Sequence, residues 1–304
     1  MAMKRAIVVV GSSNTDMVIA ADRLPAPGET ILGGTFFMNA GGKGANQAVA
    51  AARLGGEVCF IAKTGNDIFG RQAVQLFGDE GIDTSYIVSD PDEPSGVALI
   101  TVDKQGENCI VVASGANATL SPQDLRTAEE VVGSAGCILL QLEIPLATVE
   151  YVAGLAAASG GRVILNPAPV CPLPDALLRN VWLLTPNKKE AEMLTGIEIR
   201  DLGSAREAAE CLRQRGVKSV IITLGAEGAA LLYDQGFVHV PAIPVKAVDT
   251  TAAGDVFNGA LAAALSEGLP LLEATKYACR AAAVSVTRRG AQVSAPRKHE
   301  LAMF

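Results

Sequence analysis

In the run "DTTAAGDVFNGAL" (249–261), Asp255 follows three small residues, Ala252, Ala253 and Gly254, and precedes the apolar stretch Val256–Leu265. A carboxylate buried at the head of such a helix is costly unless it has a partner or a task. The three small residues are read as a first helical turn, whose N–H groups have no intrahelical partner. Beside that positive end Asp255 is ionised and can take a proton from an attacking hydroxyl. Phosphoryl transfer needs an aligned nucleophile and stabilised charge on the equatorial oxygens. Asp255 supplies the first and the turn the second. The alternative is that Asp255 only caps its helix.

A second cluster, "NAGGKGANQAVAAARLG" (39–55), packs Gly41, Gly42 and Gly44 around Lys43 and runs into a helix. Glycines let backbone approach a ligand closely, and free N–H groups at a helix start suit anionic or hydroxyl-rich ligands. Lys43 and Asn46 add a cation and an amide to the same turn; the plainer alternative is a tight turn with a solvated lysine. There is no GxxxxGK[ST] loop and no GxGxxG after a strand, so any nucleotide is held another way. The missing fingerprint also excludes a nicotinamide oxidoreductase of the doubly wound type. His239 and His299 are too few for a His-rich metal site or a triad.

These residues need a rigid frame, and 304 residues that are 49% hydrophobic can bury one. Short β-branched runs at 5–11, 58–62, 137–142, 162–167, 181–186 and 219–225 alternate with Ala-rich helical stretches. The helices are expected at 43–54, 69–79, 122–133, 146–158, 187–195, 204–215, 252–267 and 271–287. That alternation predicts an α/β fold with a mostly parallel sheet between helical layers. "DMVIAA", "TILGGTFF" and "GVALITVDKQGENCIVVAS" have period-2 patterns instead, with Gln105-Gly106 at a turn. They predict a small projecting β-sheet, contributed by about 14–40 and 95–114, on a single domain spanning 1–304.

Net charge is −7 without a dense Lys/Arg block, which argues against a nucleic-acid or membrane-surface partner. The start "MAMKRAIVVVG" is read as a first buried strand rather than a leader, and no stretch approaches the roughly 18 apolar residues of a span. Cys59, Cys109, Cys137, Cys171, Cys211 and Cys279 form no CxxC and mostly sit in apolar runs. They are read as small buried hydrophobes of a reducing cytoplasm.

Four ordered motifs resemble those of the ribokinase-like (PfkB) carbohydrate kinases: "GGKGANQAVAAARLG", "TPNKKEAEMLTG", "ITLGAEGA" and "DTTAAGDVFNGAL". The likeness runs nearly end to end and implies a three-layer fold with a β-sheet lid. It implies ATP-dependent phosphorylation of a sugar, with Asp255 as base and Gly254 in an anion hole. "GSSNTD" resembles the ribose-phosphorylating members, which points to D-ribose, phosphorylated at O5. By the same resemblance Asn14, Thr15, Asp16, Gly42, Lys43, Gly44, Ala45, Asn46 and Glu143 contact the sugar, with Asp255. Asn187 and the loop Thr223, Leu224, Gly225, Ala226, Glu227 and Gly228 hold ATP, and Glu190 organises Mg²⁺ through water. Glu190 can also be read as an ordinary solvated helix charge.

Two departures stand out. "AAGD" replaces the family's commoner "GAGD", adding a methyl at Ala252. Cys279 stands where relatives often carry His or Asn near the adenine. The resemblance further implies a K⁺ site from Asp249 and Ser294 side chains and from Thr251, Ser285, Arg288 and Gly290, largely through carbonyls. For Asp249 the plain alternative is a turn cap, and "TRRG" then ends a helix with cations on its dipole. A homodimer through the lid sheet is implied as well. Rival expectations are a 2-deoxyribose kinase, another pentose or nucleoside kinase, and a non-catalytic sugar-binding protein.

Overall fold

Ile7, Val8, Val9 and Val10 are all fully buried, as in a strand covered on both faces. They form β1 (Ile7–Val10) of the computed structural model, which describes residues 6–304. Arg5, where the first strand was expected to begin, and the preceding "MAMK" lie outside the described residues. On one side of β1 lie β4 (Val58–Gly65) and β5 (Ile87–Asp90). On the other lie β8 (Cys137–Leu140), β9 (Arg162–Leu165), β10 (Leu183–Leu184), β11 (Ser219–Thr223), β12 (Ala229–Tyr233) and β13 (Gly236–Val240). The nine-stranded order is β13-β12-β11-β10-β9-β8-β1-β4-β5. All its pairs are parallel except β11–β12 and β12–β13.

Alternation along β1 divides the core. Ile7 and Val9 face one apolar cluster, which includes residues of α1 (Lys43–Arg53), α2 (Ile68–Asp79), α8 (Ala253–Ser266) and α9 (Leu271–Ser285). Val8 and Val10 face the other, with α3 (Glu129–Ser134), α4 (Leu146–Ala158), α5 (Asp175–Leu178), α6 (Lys188–Thr195) and α7 (Leu202–Gln214). A short α10 (Lys298–Leu301) packs on α9. The result is the three-layer α/β fold expected from the sequence.

A second sheet, ordered β3-β2-β6-β7, is built from β2 (Asn14–Ala20), β3 (Thr35–Gly41), β6 (Gly96–Val102) and β7 (Asn108–Ala113). Expected strand character at 30–34 is absent, because Gly33 and Gly34 adopt positive φ of 110° and 96°. The expected helix 122–133 is also shortened. Asp124 accepts from the Ser121 N–H and hydroxyl, making a local turn, and α3 starts only at Glu129. Strands β5, β12 and β13 were not foreseen. All five residues of β12 are buried, but its sequence AALLY has none of the β-branched residues that mark buried strands such as β1. Cys109 is exposed on β7, and Cys171 and Cys211 are half-buried, against the expectation for small core residues.

Candidate active site

The C-terminal ends of β1, β8, β9, β10 and β11 meet the N-terminal ends of α1 and α8, where open α/β sheets hold ligands. Helix α8 starts behind Ala252, at φ 57°, so Asp255 is its third residue rather than its cap. Gly259 lets α8 approach α1: a Cβ there would lie 2.6 Å from the Ala50 Cβ and the Gln47 carbonyl oxygen. Neighbouring α1 side chains therefore reach Asp255. Asn46 Nδ2 donates to Oδ2 at 2.9 Å and Gln47 Nε2 to Oδ1 at 3.0 Å. Burial pushes the Asp255 carboxyl above its usual range, while Lys43 and these two amides oppose that shift.

The first turn of α8 is only partly free. The Ala253 N–H bonds the Thr250 carbonyl at 3.3 Å, contrary to the expected open trio, whereas the N–H groups of Gly254 and Asp255 have no partner among the described residues. A cleft of about 180 Å³ opens there, lined by Lys43, Asn166, Thr185, Asn187, Glu190, Thr223 and Gly254 among others.

The start of α1 departs from expectation. Its N–H groups are taken by protein: Lys43 donates to Glu143 Oε2 at 2.9 Å, Gly44 to Ser12 Oγ at 3.4 Å and Ala45 to the Ser12 carbonyl at 2.9 Å. Gly44 is needed for contact, since a Cβ would lie 2.6 Å from Gly11 and Ser12 backbone. Gly42, at φ 89°, makes the turn. Gly44 and Ala45 thus shape the wall and offer no free polar group. Glu143 also accepts from Ser12 Oγ at 2.5 Å, which anchors it under the helix start. Burial lowers the Lys43 pKa, but the carboxylates of Asp255, Glu143, Glu190 and Asp16 outweigh it and keep the ammonium charged.

On β2, Asn14 and Asp16 share a face, while Thr15 points to the other and is not brought together with them. Asp16 is pushed up to about 6 by burial, then by Glu143 and Asp255, with Lys43 opposing. Asn14 Oδ1 accepts from Asn117 Nδ2 at 2.8 Å, which leaves its own NH₂ for a ligand. Asn117 is itself fixed by two bonds to the Ser13 backbone. Gly96 makes room for this pair, because a Cβ would lie 2.2 Å from both side chains. A cavity of about 520 Å³, lined by Asn14, Asn117, Glu143 and the β7 residue Val112, opens under the second sheet.

Asn187 is the cap of α6, not its first helical residue as the expected span 187–195 had it, and forms a capping box with Glu190. Burial nonetheless raises the Glu190 carboxyl, and both residues line the cleft. Thr223 pairs with Asn187 and reaches the cleft; Leu224–Gly228 turn beyond it, with Gly225 and Gly228 at φ 60° and 98°. The Glu227 carbonyl is bonded to His239 at 2.7 Å. Cys279 is buried in the core on α9, its thiol pushed up to about 12, and does not line the cleft.

Behind α8, Asp249 accepts from Thr251 and Gly290 N–H groups at 2.9 and 2.8 Å. Burial works against its charge, yet these bonds hold the carboxyl below its usual range. The Arg288 guanidinium is bonded to the Glu300 carboxylate, so it is not a partner of Asp249. The Ser285 carbonyl accepts from the Arg288 N–H, and Ser294 Oγ donates to the Ala291 carbonyl. Among the described residues no three His, Cys, Asp or Glu side chains gather as metal ligands.

With this geometry in place, residues 4–298 match the model of the pfkB family carbohydrate kinases. The chain belongs to that family. A ribokinase of Haemophilus influenzae is 45% identical over 302 residues, 99% of each chain. A deoxyribokinase of Salmonella typhi is 38% identical over 291 residues, 95% of each. The structure of Arabidopsis thaliana ribokinase complexed with ribose and ATP superposes with TM-score 0.94 at 35% identity, covering 99% of this chain and 98% of that one.

Ser12, Gln47 and Asn258 lie within the motifs without an expected role, and Asn117 and Asn166 lie outside them. Asn258 Nδ2 holds the Gly254 carbonyl at 2.8 Å and its Oδ1 accepts from Thr185 at 2.6 Å, which steadies the first turn of α8. Ala252 is the only non-glycine residue with positive φ among those described. Left-handed backbone is strained for alanine, so Ala252→Gly should stabilise the protein by about 1 kcal/mol. Denaturant titration checks this; turnover should stay within a few-fold, because the free N–H groups are unchanged.

Proposed function

We propose that this chain transfers the γ-phosphoryl group of ATP to O5 of D-ribose. The observation that carries this reading is Asp255, buried, held by two amides, and set beside free N–H groups in the cleft that Lys43, Asn187 and Glu190 also line. Asn14, Asp16, Lys43 and Glu143 edge the sugar side. An amide and a carboxylate each fix two hydroxyl directions, which suits a neutral polyol. Asn187, Glu190 and the 223–228 loop edge the ATP side. Asp255 takes the proton of the attacking hydroxyl, and the Gly254 N–H meets charge developing on the transferring group.

In this reading the whole chain is one kinase domain, and the second sheet is a lid that excludes water on closure. Ile19, Phe36, Phe37, Leu99, Ile110 and Val111 are exposed on that sheet, which supports a homodimer through it. No described helix is long and apolar enough to cross a membrane, and all six cysteines are free, in keeping with a cytoplasmic enzyme.

Charge argues for cations. An incoming triphosphate meets the carboxylates of Asp16, Glu143, Glu190 and Asp255, all of which act on the Lys43 ammonium. Mg²⁺ bound with ATP neutralises β- and γ-phosphate charge; Glu190 would hold it through water. The Asp249 loop fits K⁺: one carboxylate, the Ser294 hydroxyl and nearby carbonyls supply hard oxygens, and the Asp249 bonds tie the loop before α8 to the end of α9. K⁺ should raise turnover well above Na⁺ at matched ionic strength, and Asp249→Ala should abolish the difference. Equal rates in the two salts would remove K⁺ from the scheme.

The deciding experiment is an ADP-release screen over ribose, 2-deoxyribose, fructose and adenosine. Ribose should give the highest kcat/KM. The likeness to a deoxyribokinase makes 2-deoxyribose the rival, and a preference for it would replace the present reading. ADP release with none of the four would argue for a non-catalytic sugar-binding protein.

A further inference from the structure

Behind Asp255 stands a file of buried amides. Gln141 Nε2 donates to Gln47 Oε1 at 2.7 Å, and Gln47 Nε2 donates to Asp255 Oδ1 at 3.0 Å and to Asn166 Oδ1 at 3.2 Å. Asn166 Nδ2 goes on to the Thr185 carbonyl at 3.2 Å. Gln47 and Gln141 are fully buried, so water settles neither orientation.

The two ends of a carboxamide have nearly the same shape, and the partners decide which end points where. An ionised carboxylate only accepts. Gln47 must therefore turn its NH₂ to Asp255, which leaves its oxygen facing Gln141, and Gln141 must answer with its own NH₂. Gln47 Oε1 has no other donor among the described residues.

We propose that Gln141 is a positioning residue for phosphoryl transfer, holding the donor end of Gln47 against Asp255 without touching substrate. This rests on Asp255 as the base. A second observation supports it. Gln141 Oε1 is buried with no partner, a costly state that an apolar side chain of equal size would avoid. Gly11 even makes room for that oxygen, since a Cβ there would lie 2.1 Å from it. The donor end is what justifies an amide at 141.

Without that donor, Gln47 Oε1 is buried and unpaired, and rotation of the amide carries oxygen toward the carboxylate. Attraction becomes repulsion, and the charged form of Asp255 loses support. Other groups acting on Asp255 are Lys43 and Asn46 from α1, Glu143 after β8, Asp16 on β2 and Glu190 on α6; none of them bonds Gln141.

The test uses the whole enzyme with Gln141→Met and Gln141→Leu, two shapes in case one fails to fold. Asp255 is titrated through its carboxyl carbon by NMR, and kcat and KM are followed against pH. The expected result is an Asp255 midpoint higher by about one unit, with the acid limb of kcat moving along with it and KM for ribose unchanged. In a Gln47→Met background, Gln141→Met should add nothing. An unmoved Asp255 midpoint would overturn the proposal, and so would a shift that persists without Gln47. Failure of the base reading shows separately: Asp255→Asn would then keep its turnover, while the carboxyl titration still reports whether Gln141 acts through Gln47.

Discussion

Replacing Asp255 by Asn should lower turnover by roughly 10²–10⁴, the usual worth of a positioned base, and leave the fold and sugar binding nearly intact. The structure explains why binding should survive. Asn keeps the size of Asp255, and one side-chain oxygen can still accept from Asn46 or Gln47. Its NH₂ then meets another amide donor, a local mismatch that should cost some stability but not the helix, because Asp255 caps nothing in α8. Steady-state kinetics with a coupled ADP assay, beside calorimetric ribose titration, separates the two effects. Turnover within a few-fold of the parent would mean that another group takes the proton.

Much of this arrangement can be read from the sequence, for a physical reason. Turns in which backbone packs closely need clustered small residues, so "GGKGAN" and "AAGD" mark the starts of α1 and α8 directly. The parallel strands are equally visible, since burial on both faces demands continuous apolar runs such as Ile7–Val10. Strand β12 is just as buried but is alanine-rich, and it passed unnoticed.

The amides were illegible for a different reason. Asn46 and Asp255 are 209 residues apart, and Asn117 lies 103 from the Asn14 that it orients. Nothing local distinguishes a glutamine that steers a carboxylate from one that faces solvent; only the convergence of strand ends does so. The same blindness affected the start of α1, where sequence suggested open N–H groups and the fold fills them with Ser12 and Glu143. Capping by distant side chains leaves no mark in the helix itself.

For Asp16 the expected result is a collapse of sugar discrimination. Asp16→Ala removes an acceptor for two hydroxyls. A site that reads hydroxyls can discriminate by about 10⁴, so the preference for ribose over 2-deoxyribose should fall sharply. Gly41 offers an independent check. A Cβ there would lie 2.4 Å from both Asp16 oxygens, so Gly41→Ala should displace the carboxylate and weaken ribose binding while leaving Asp16 in place. The direction of the pH effect follows from the raised pKa: with a midpoint of about 6, the carboxylate is charged at neutral pH and protonated below. Ribose affinity of the free enzyme should therefore weaken as pH falls through about 6, and Asp16→Asn should flatten that dependence. Calorimetric titrations on either side of the midpoint measure it directly. An unchanged ratio of kcat/KM for the two sugars in Asp16→Ala would show that the hydroxyls are read elsewhere, with Glu143 the next residue to test.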